Sequence, residues 1–142
     1  MTVDSSDNPG GGAKSAEMLE GTALAAAMTV NDLQKSLAWY QDVLGFSVDQ
    51  KHERDGTLRA VSLRAGDVRI VIGQDDGAKG LNRVKGVAMS LQITTSQNID
   101  EIANRVKAAG GILAVEPTDT PWGARMFRIK DPDGFMFVIS SR

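Results

Sequence analysis

The sequence predicts an α+β fold of two βαβββ modules whose curved, mixed or antiparallel sheets surround a cleft. Three observations carry this. A short alternating stretch runs directly into an amphipathic one over residues 24–46, the same design returns over residues 87–111, and each copy is followed by three further short alternating stretches. Placing Val30 on Ile93 gives an offset of 63 (93 − 30) and Gly45 on Gly110 one of 65 (110 − 45), so a unit of that size occurs twice.

In the first copy Leu24, Ala26, Met28 and Val30 form one face at period two, and Ala25, Ala27, Thr29 and Asn31 the other. Asn31 or Asp32 then caps a helix by accepting from its free backbone N–H groups; Leu33, Leu37, Tyr40 and Leu44 make its apolar stripe, and Gly45 supplies the left-handed residue that ends it. Residues 46–53 read as a strand, Asp55-Gly56 as a hairpin turn, residues 58–64 as the returning strand and residues 68–74 as a fourth. Residues 75–85, rich in glycine and charge, read as a linker.

The second copy repeats the order. Val87, Met89, Leu91 and Ile93 face one way, Ala88, Ser90 and Gln92 the other, and Ser96 or Asn98 caps a helix bearing Ile99, Ala103 and Val106 that stops at Gly110-Gly111. Residues 112–115 read as a weak strand, 116–123 as a proline-containing loop, and 125–130 and 135–140 as the last two strands, joined through the tight turn Asp131-Pro132-Asp133-Gly134.

With 142 residues and 42% hydrophobic content, the chain suits one globular domain over residues 22–142, with modules at about 22–76 and 85–141. A domain of this size buries about 70% of the surface of its unfolded chain. Residues 1–21 read as a flexible tail: three successive glycines and Pro9 bury too little to offset ordering, and the few apolar residues of 13–20 make at most a marginal helical turn. No cysteine is present, which removes disulfides, thiolate nucleophiles and cysteine zinc sites and fits a reducing, cytoplasmic setting. A net charge of −2 with interspersed signs offers no footprint for nucleic acid or an anionic membrane, and the apolar run at 24–30 is too short to span a bilayer.

Two stretches carry a family likeness. DLQKSLAWYQDVLGF is similar to the D-x-x-x-S-x-x-[FW]-Y-x-x-x-L-G-F run of the vicinal oxygen chelate superfamily, which includes glyoxalase I, extradiol dioxygenases and the fosfomycin- and bleomycin-resistance proteins; FRIKDPDGFMFVIS resembles that superfamily's F-x-x-x-D-P-D-G-x-x-x-E-[LI] ending. The resemblance implies the glyoxalase/bleomycin resistance/dioxygenase fold. It also implies metal ligands on the inner faces of the first, fourth, fifth and eighth strands, positions that fall here on Ala25, Gln74, Ala88 and Val138. Three of these have no electron pair to donate and Gln74 is a weak neutral donor, so neither a metal nor another cofactor is expected.

Other candidates have simpler readings. His52, in KHERDG, reads as an exposed histidine beside a hairpin tip. Turn geometry accounts for Asp131 and Asp133, capping for Asn31 and Asp32, and solvation for Lys14 and Lys35. Trp39 is expected in core or dimer packing, and Arg125 at the surface.

Alternation gives the inner surface as Ala25, Ala27, Thr29, Ile70, Ile72, Gln74, Ala88, Ser90, Gln92, Met136, Val138 and Ser140, a set short of large side chains. Such a hollow is filled by a second chain or the N-terminal segment, or by a ligand. The expected function is metal-independent binding of a small, partly apolar molecule, as in the bleomycin-resistance type. Its site would comprise Thr29, Gln74, Ser90, Gln92, Val138 and Trp122, whose indole would stack on the ligand. No catalytic residue is assigned, because no nucleophile or activated acid–base pair is visible, and a homodimer is expected. Two alternatives stay open: a glyoxalase-like lyase or dioxygenase with ligands displaced to residues such as His52, Gln74 and Glu116, and a structural or regulatory dimeric module.

Overall fold

The computed structural model describes residues 18–80 and 83–142; the segment 1–12 and most of 13–20, read above as a tail and a helical turn, lie outside them. The elements run β1 (Ala26–Val30), α1 (Leu33–Asp42), β2 (Ser47–Arg54), β3 (Thr57–Ala65), β4 (Val68–Gln74), β5 (Ser90–Thr94), α2 (Ile99–Ala108), β6 (Leu113–Asp119), β7 (Arg125–Lys130) and β8 (Met136–Ser140). They build two four-stranded sheets in the orders β1-β4-β3-β2 and β5-β8-β7-β6. Each sheet is mixed: β1 lies parallel to β4 and β5 to β8, and the remaining pairs are antiparallel. The repeated βαβββ order is therefore the one the sequence predicts, and among the described residues no strand joins the two sheets.

Both helices start where a short polar side chain meets the first free amides. Asp32 accepts from the Lys35 N–H at 3.1 Å, and Asn98 from that of Glu101 at 3.0 Å. Asp100 and Glu101 at the start of α2, and Arg105 and Lys107 near its end, complement the helix dipole. Leu33, Leu37 and Tyr40 of α1 and Ile99, Ala103 and Val106 of α2 are buried, as their spacing requires. Beyond α1 the chain turns through Gly45 at φ +81.

Four readings of the sequence change. β1 and β5 begin later than the alternation suggests: Leu24 is 96% exposed, Val87 and Met89 are exposed, and Ala88 takes a left-handed φ of 61. β6 runs on through Pro117 to Asp119, which a sheet edge permits because proline there has no ladder partner to miss. β4 has the expected bounds and the opposite phase. Ile70 and Ile72 lie beside Ala26 and Met28 and are buried, so Arg69, Val71 and Gly73 occupy the helix-free face in their place. Gln74 changes face with them.

One apolar core serves both modules. Met28, Val61, Leu63 and Ile72 of the first sheet and Phe127, Ile129 and Phe137 of the second join it with the buried faces of both helices. Tyr40 lies where they meet, edge-on to Trp39, Phe46 and Phe137 at centroid distances of 4.9, 5.8 and 5.8 Å, geometries aromatic rings favour. Trp39 is half-buried against this core.

Candidate functional site

Strand register places the side chains of each helix-free face. Across the first sheet one row reads His52, Ala60, Gly73, Thr29, and the next Gln50, Ser62, Val71, Ala27. Across the second, the rows read Ser90, Met136, Lys130; Gln92, Val138, Arg128; and Thr94, Ser140, Met126. Thr29, Ser90, Gln92 and Val138 therefore all lie on helix-free faces. The first three are exposed and Val138 is 8% exposed, shielded by its neighbours. The floor is small in its middle and polar at its margins.

Gln74 lies on the other face from the one expected, and Trp122 stands in the loop expected for it, off the sheets. Gln74 is paired with Val30 on the opposite face, and its amide is fully engaged there: Oε1 accepts from the Leu33 N–H at 2.9 Å, and Nε2 donates to the carbonyls of Asn31 and Asp75 at 2.7 and 3.0 Å. It fastens the entry of α1. Trp122 sits in the β6–β7 connection with its side chain 78% exposed. That loop is closed by the Thr120 N–H to the Ala124 carbonyl at 2.7 Å and the Ala124 N–H to Thr120 Oγ1 at 2.9 Å. The indole is thus held out to solvent on a well-braced loop.

The structure adds residues that the sequence did not disclose. His52 is exposed, as expected, but its Nε2 lies 3.3 Å from Ser62 Oγ, and both belong to the helix-free face of the first sheet. A β-bulge between His52 and Glu53 sets this up, since it slides His52 from Arg59 to Ala60 as partner. Farther along the same face Arg64 and Arg69 share Asp49, at 3.4 and 3.7 Å.

The carboxylates of the DPDG turn are committed to structure. Asp131 Oδ1 accepts from the N–H groups of Asp133 and Phe135 at 2.9 and 2.8 Å, and Oδ2 from the Tyr40 hydroxyl at 2.7 Å. Burial pushes the Asp131 carboxyl above its ordinary range against the pull of these donors, and burial together with Asp131 pushes the Tyr40 hydroxyl up. Asp133 Oδ1 accepts from the Asn31 N–H at 2.9 Å. Nearby, Lys85 Nζ lies 2.9 Å from Asp75 Oδ2, the side chains only 5% and 8% exposed, and donates to Asn31 Oδ1 at 2.6 Å. The Gly77 N–H, followed by Lys85, holds the Asp75 carboxyl well below the usual carboxylate range. Arg125 forks onto Asp100 at 2.8 and 2.9 Å and reaches Asp119 at 3.0 Å, tying α2 to the hairpin and lowering the Asp100 carboxyl.

These residues do not suit a metal of the kind the family likeness implies. Ala25, Ala88 and Val138 present only methyl groups, and the Gln74 carbonyl already holds a backbone amide. The displaced set does not assemble either: His52 meets Ser62, Glu116 meets Lys107 Nζ at 2.9 Å, and Gln74 faces the helix. Among the described residues no group of three or more His, Cys, Asp or Glu side chains is placed to hold a metal ion.

Paired βαβββ units, each with its helix on one face of its own sheet and the other face without a helix, define a class in which one scaffold carries many chemistries. The chain belongs to the Glyoxalase/Bleomycin resistance protein/Dioxygenase superfamily, whose family model matches residues 12–139. A relative from Vibrio cholerae, a probable lactoylglutathione lyase, is 27% identical over 128 residues, covering 82% of this chain and 87% of its own. The crystal structure of a superfamily member from Sphaerobacter thermophilus superposes with a TM-score of 0.70 at 23% identity, covering 87% of this chain and 98% of that one. TioX from Micromonospora superposes with a TM-score of 0.67 at 22% identity, covering 85% and 98%. No helix among the described residues is long and apolar enough to cross a membrane.

Proposed function

We propose that this chain binds a small, partly apolar molecule on its helix-free sheet faces without a metal ion, in the manner of a bleomycin-resistance-type protein. The observation that carries the reading is the surface itself: small and polar side chains, including Thr29, Ser90 and Gln92, stand where the family likeness implies metal ligands nearby, and no donor set accompanies them. Trp122, braced and exposed, would supply a stacking face, while Val138, largely covered by its neighbours, would add only a small apolar contact. A second copy laid over the open faces would complete the cleft as a homodimer, and the absence of cysteine suits a cytoplasmic setting. Titrating chelator-treated protein with flat aromatic compounds while following tryptophan fluorescence tests the reading. Saturable quenching that survives metal removal is expected; binding that returns only with a divalent ion would overturn it.

A lyase is the second reading, favoured by the name of the Vibrio cholerae relative and by the His52–Ser62 pair on the same face. It requires a stoichiometric divalent ion that survives dialysis of freshly purified protein, which elemental analysis measures directly.

A further inference from the structure

The seam between the modules is fastened along α1 and hollow beyond the exit of that helix. Asn31, just ahead of α1, and Tyr40, in its last turn, are tied to Asp133 and Asp131 of the turn that leads into β8. Where α1 and β8 finish, a cavity of about 560 Å³ separates the modules. One wall comes from the exit of α1, with Leu44 and Phe46, and from the β3–β4 turn. The other comes from Ile93 and Ile139, the 94–97 segment, and Ile102 and Arg105 of α2.

Apolar and polar residues share its lining. Phe46 and Ile139 are buried and Ile93 and Ile102 partly so, and the same lining carries the polar residues Thr95, Ser96 and Gln97 and the exposed Arg105 and Arg142. Asp67 is the one acidic side chain in this lining. Among the described residues no ion pair engages Arg105 or Arg142, whereas Arg125 on the neighbouring strand is saturated by Asp100 and Asp119. Guanidinium groups that pair with no carboxylate among the described residues, beside isoleucine side chains in one hollow, suit an oxyanion attached to a hydrocarbon body, of which a carboxylate is the simplest.

We propose that this hollow is a ligand site separate from the sheet faces, taking a small monocarboxylate with its head on Arg105 and its apolar body against Ile93, Ile102 and Ile139. The volume lies within the range of small-molecule pockets, roughly 300–1,000 Å³. Because each module supplies one wall, occupancy adds contacts across the seam beyond α1 and stabilises the folded chain by mass action. The site does not depend on what the sheet faces bind.

Octanoate and its neutral isostere octanamide are the probes, followed on the full chain by backbone amide NMR shifts and by thermal stability. Octanoate should move the amides of Gly45, Gly66, Thr95 and Gln97, leave those of Thr29, Ser90 and Gln92 in place, and raise Tm; octanamide should bind roughly ten-fold more weakly. Arg105→Gln, on the exposed side of α2, should keep the NMR spectrum of the folded chain and abolish the preference for the acid. No octanoate shifts at millimolar concentration, shifts confined to the sheet faces, equal binding of acid and amide, or a preference that persists in Arg105→Gln would each overturn the proposal.

Discussion

The Tyr40 hydroxyl donates to Asp131 Oδ2 at 2.7 Å, joining α1 of the first module to the β7–β8 turn of the second. Tyr40→Phe keeps the ring contacts and removes only this donor from a buried carboxylate. A hydrogen bond to a charged group is worth about 1.5–3 kcal/mol, so a loss of about 2 kcal/mol is expected in urea unfolding. An unchanged midpoint would show that the bond contributes nothing to joining the modules.

Asp131 also gives the fold a pH dependence. Its carboxyl is raised by burial, so the folded chain holds that proton more tightly than the unfolded chain, in which the group titrates near its ordinary value of about 3.9. Its contribution is most favourable below that pH and declines as pH rises through the folded value. Whatever offset Asp131→Asn introduces, its Tm relative to the parent should therefore improve between pH 4 and 7. A flat difference would contradict the assignment.

Asp75 works in the opposite sense. The Gly77 N–H and then Lys85 lower its carboxyl, so its stabilisation is complete above about pH 4, where the unfolded group is already ionised, and is lost as pH falls toward the depressed folded value. The Tm gap between the parent and Asp75→Asn should be widest near pH 5–7 and narrow toward pH 3. A gap that stays constant would mean that neither Gly77 nor Lys85 selects the ionised form.

Two glycines separate fold from site. A Cβ on Gly73 meets only the Arg59 carbonyl, at 3.8 Å, so Gly73→Val should change stability by roughly 0.5 kcal/mol or less while obstructing the floor between Ala60 and Thr29. At Gly86, φ is +73 and a Cβ would come within 2.6 Å of the Gly134 carbonyl oxygen, so Gly86→Ala should cost roughly 2 kcal/mol or more. Ligand titration and denaturant melts of both variants check the pair; fluorescence quenching unaltered in Gly73→Val would remove that row from the site.

Trp122 bears on binding alone. With its indole exposed, Trp122→Ala should leave Tm within about a degree while weakening a stacked aromatic ligand roughly ten-fold. Affinity that does not change would place the ligand away from this loop.

Much of this architecture was legible in the residues. The two caps, the glycine exits and the stripe Leu33, Leu37, Tyr40 follow from local chemistry, and so the helices and the repeat could be read directly. Faces were harder. In β4 the run VRIVIGQ is apolar on both sides, so alternation cannot choose between Ile70 and Val71; pairing with Ala26 and Ala27 decides it. His52 was hidden by a bulge: the Asp55-Gly56 turn alone would set it against Arg59, on the other face from Ser62. The edge strand through Pro117 was obscured because proline usually signals a loop.

The two stretches that resemble the superfamily spend their polar groups on one another. Asp32, Tyr40, Asp131 and Asp133, with Asn31 just ahead of the first stretch, are consumed in starting α1 and locking it to the last hairpin, so none of these groups is free to greet a small molecule. Kinship detected through those letters transmits a chassis. Under the binding reading proposed above, what this chain captures depends on positions such as Thr29, Gly73 and Gln92, which lie outside both stretches.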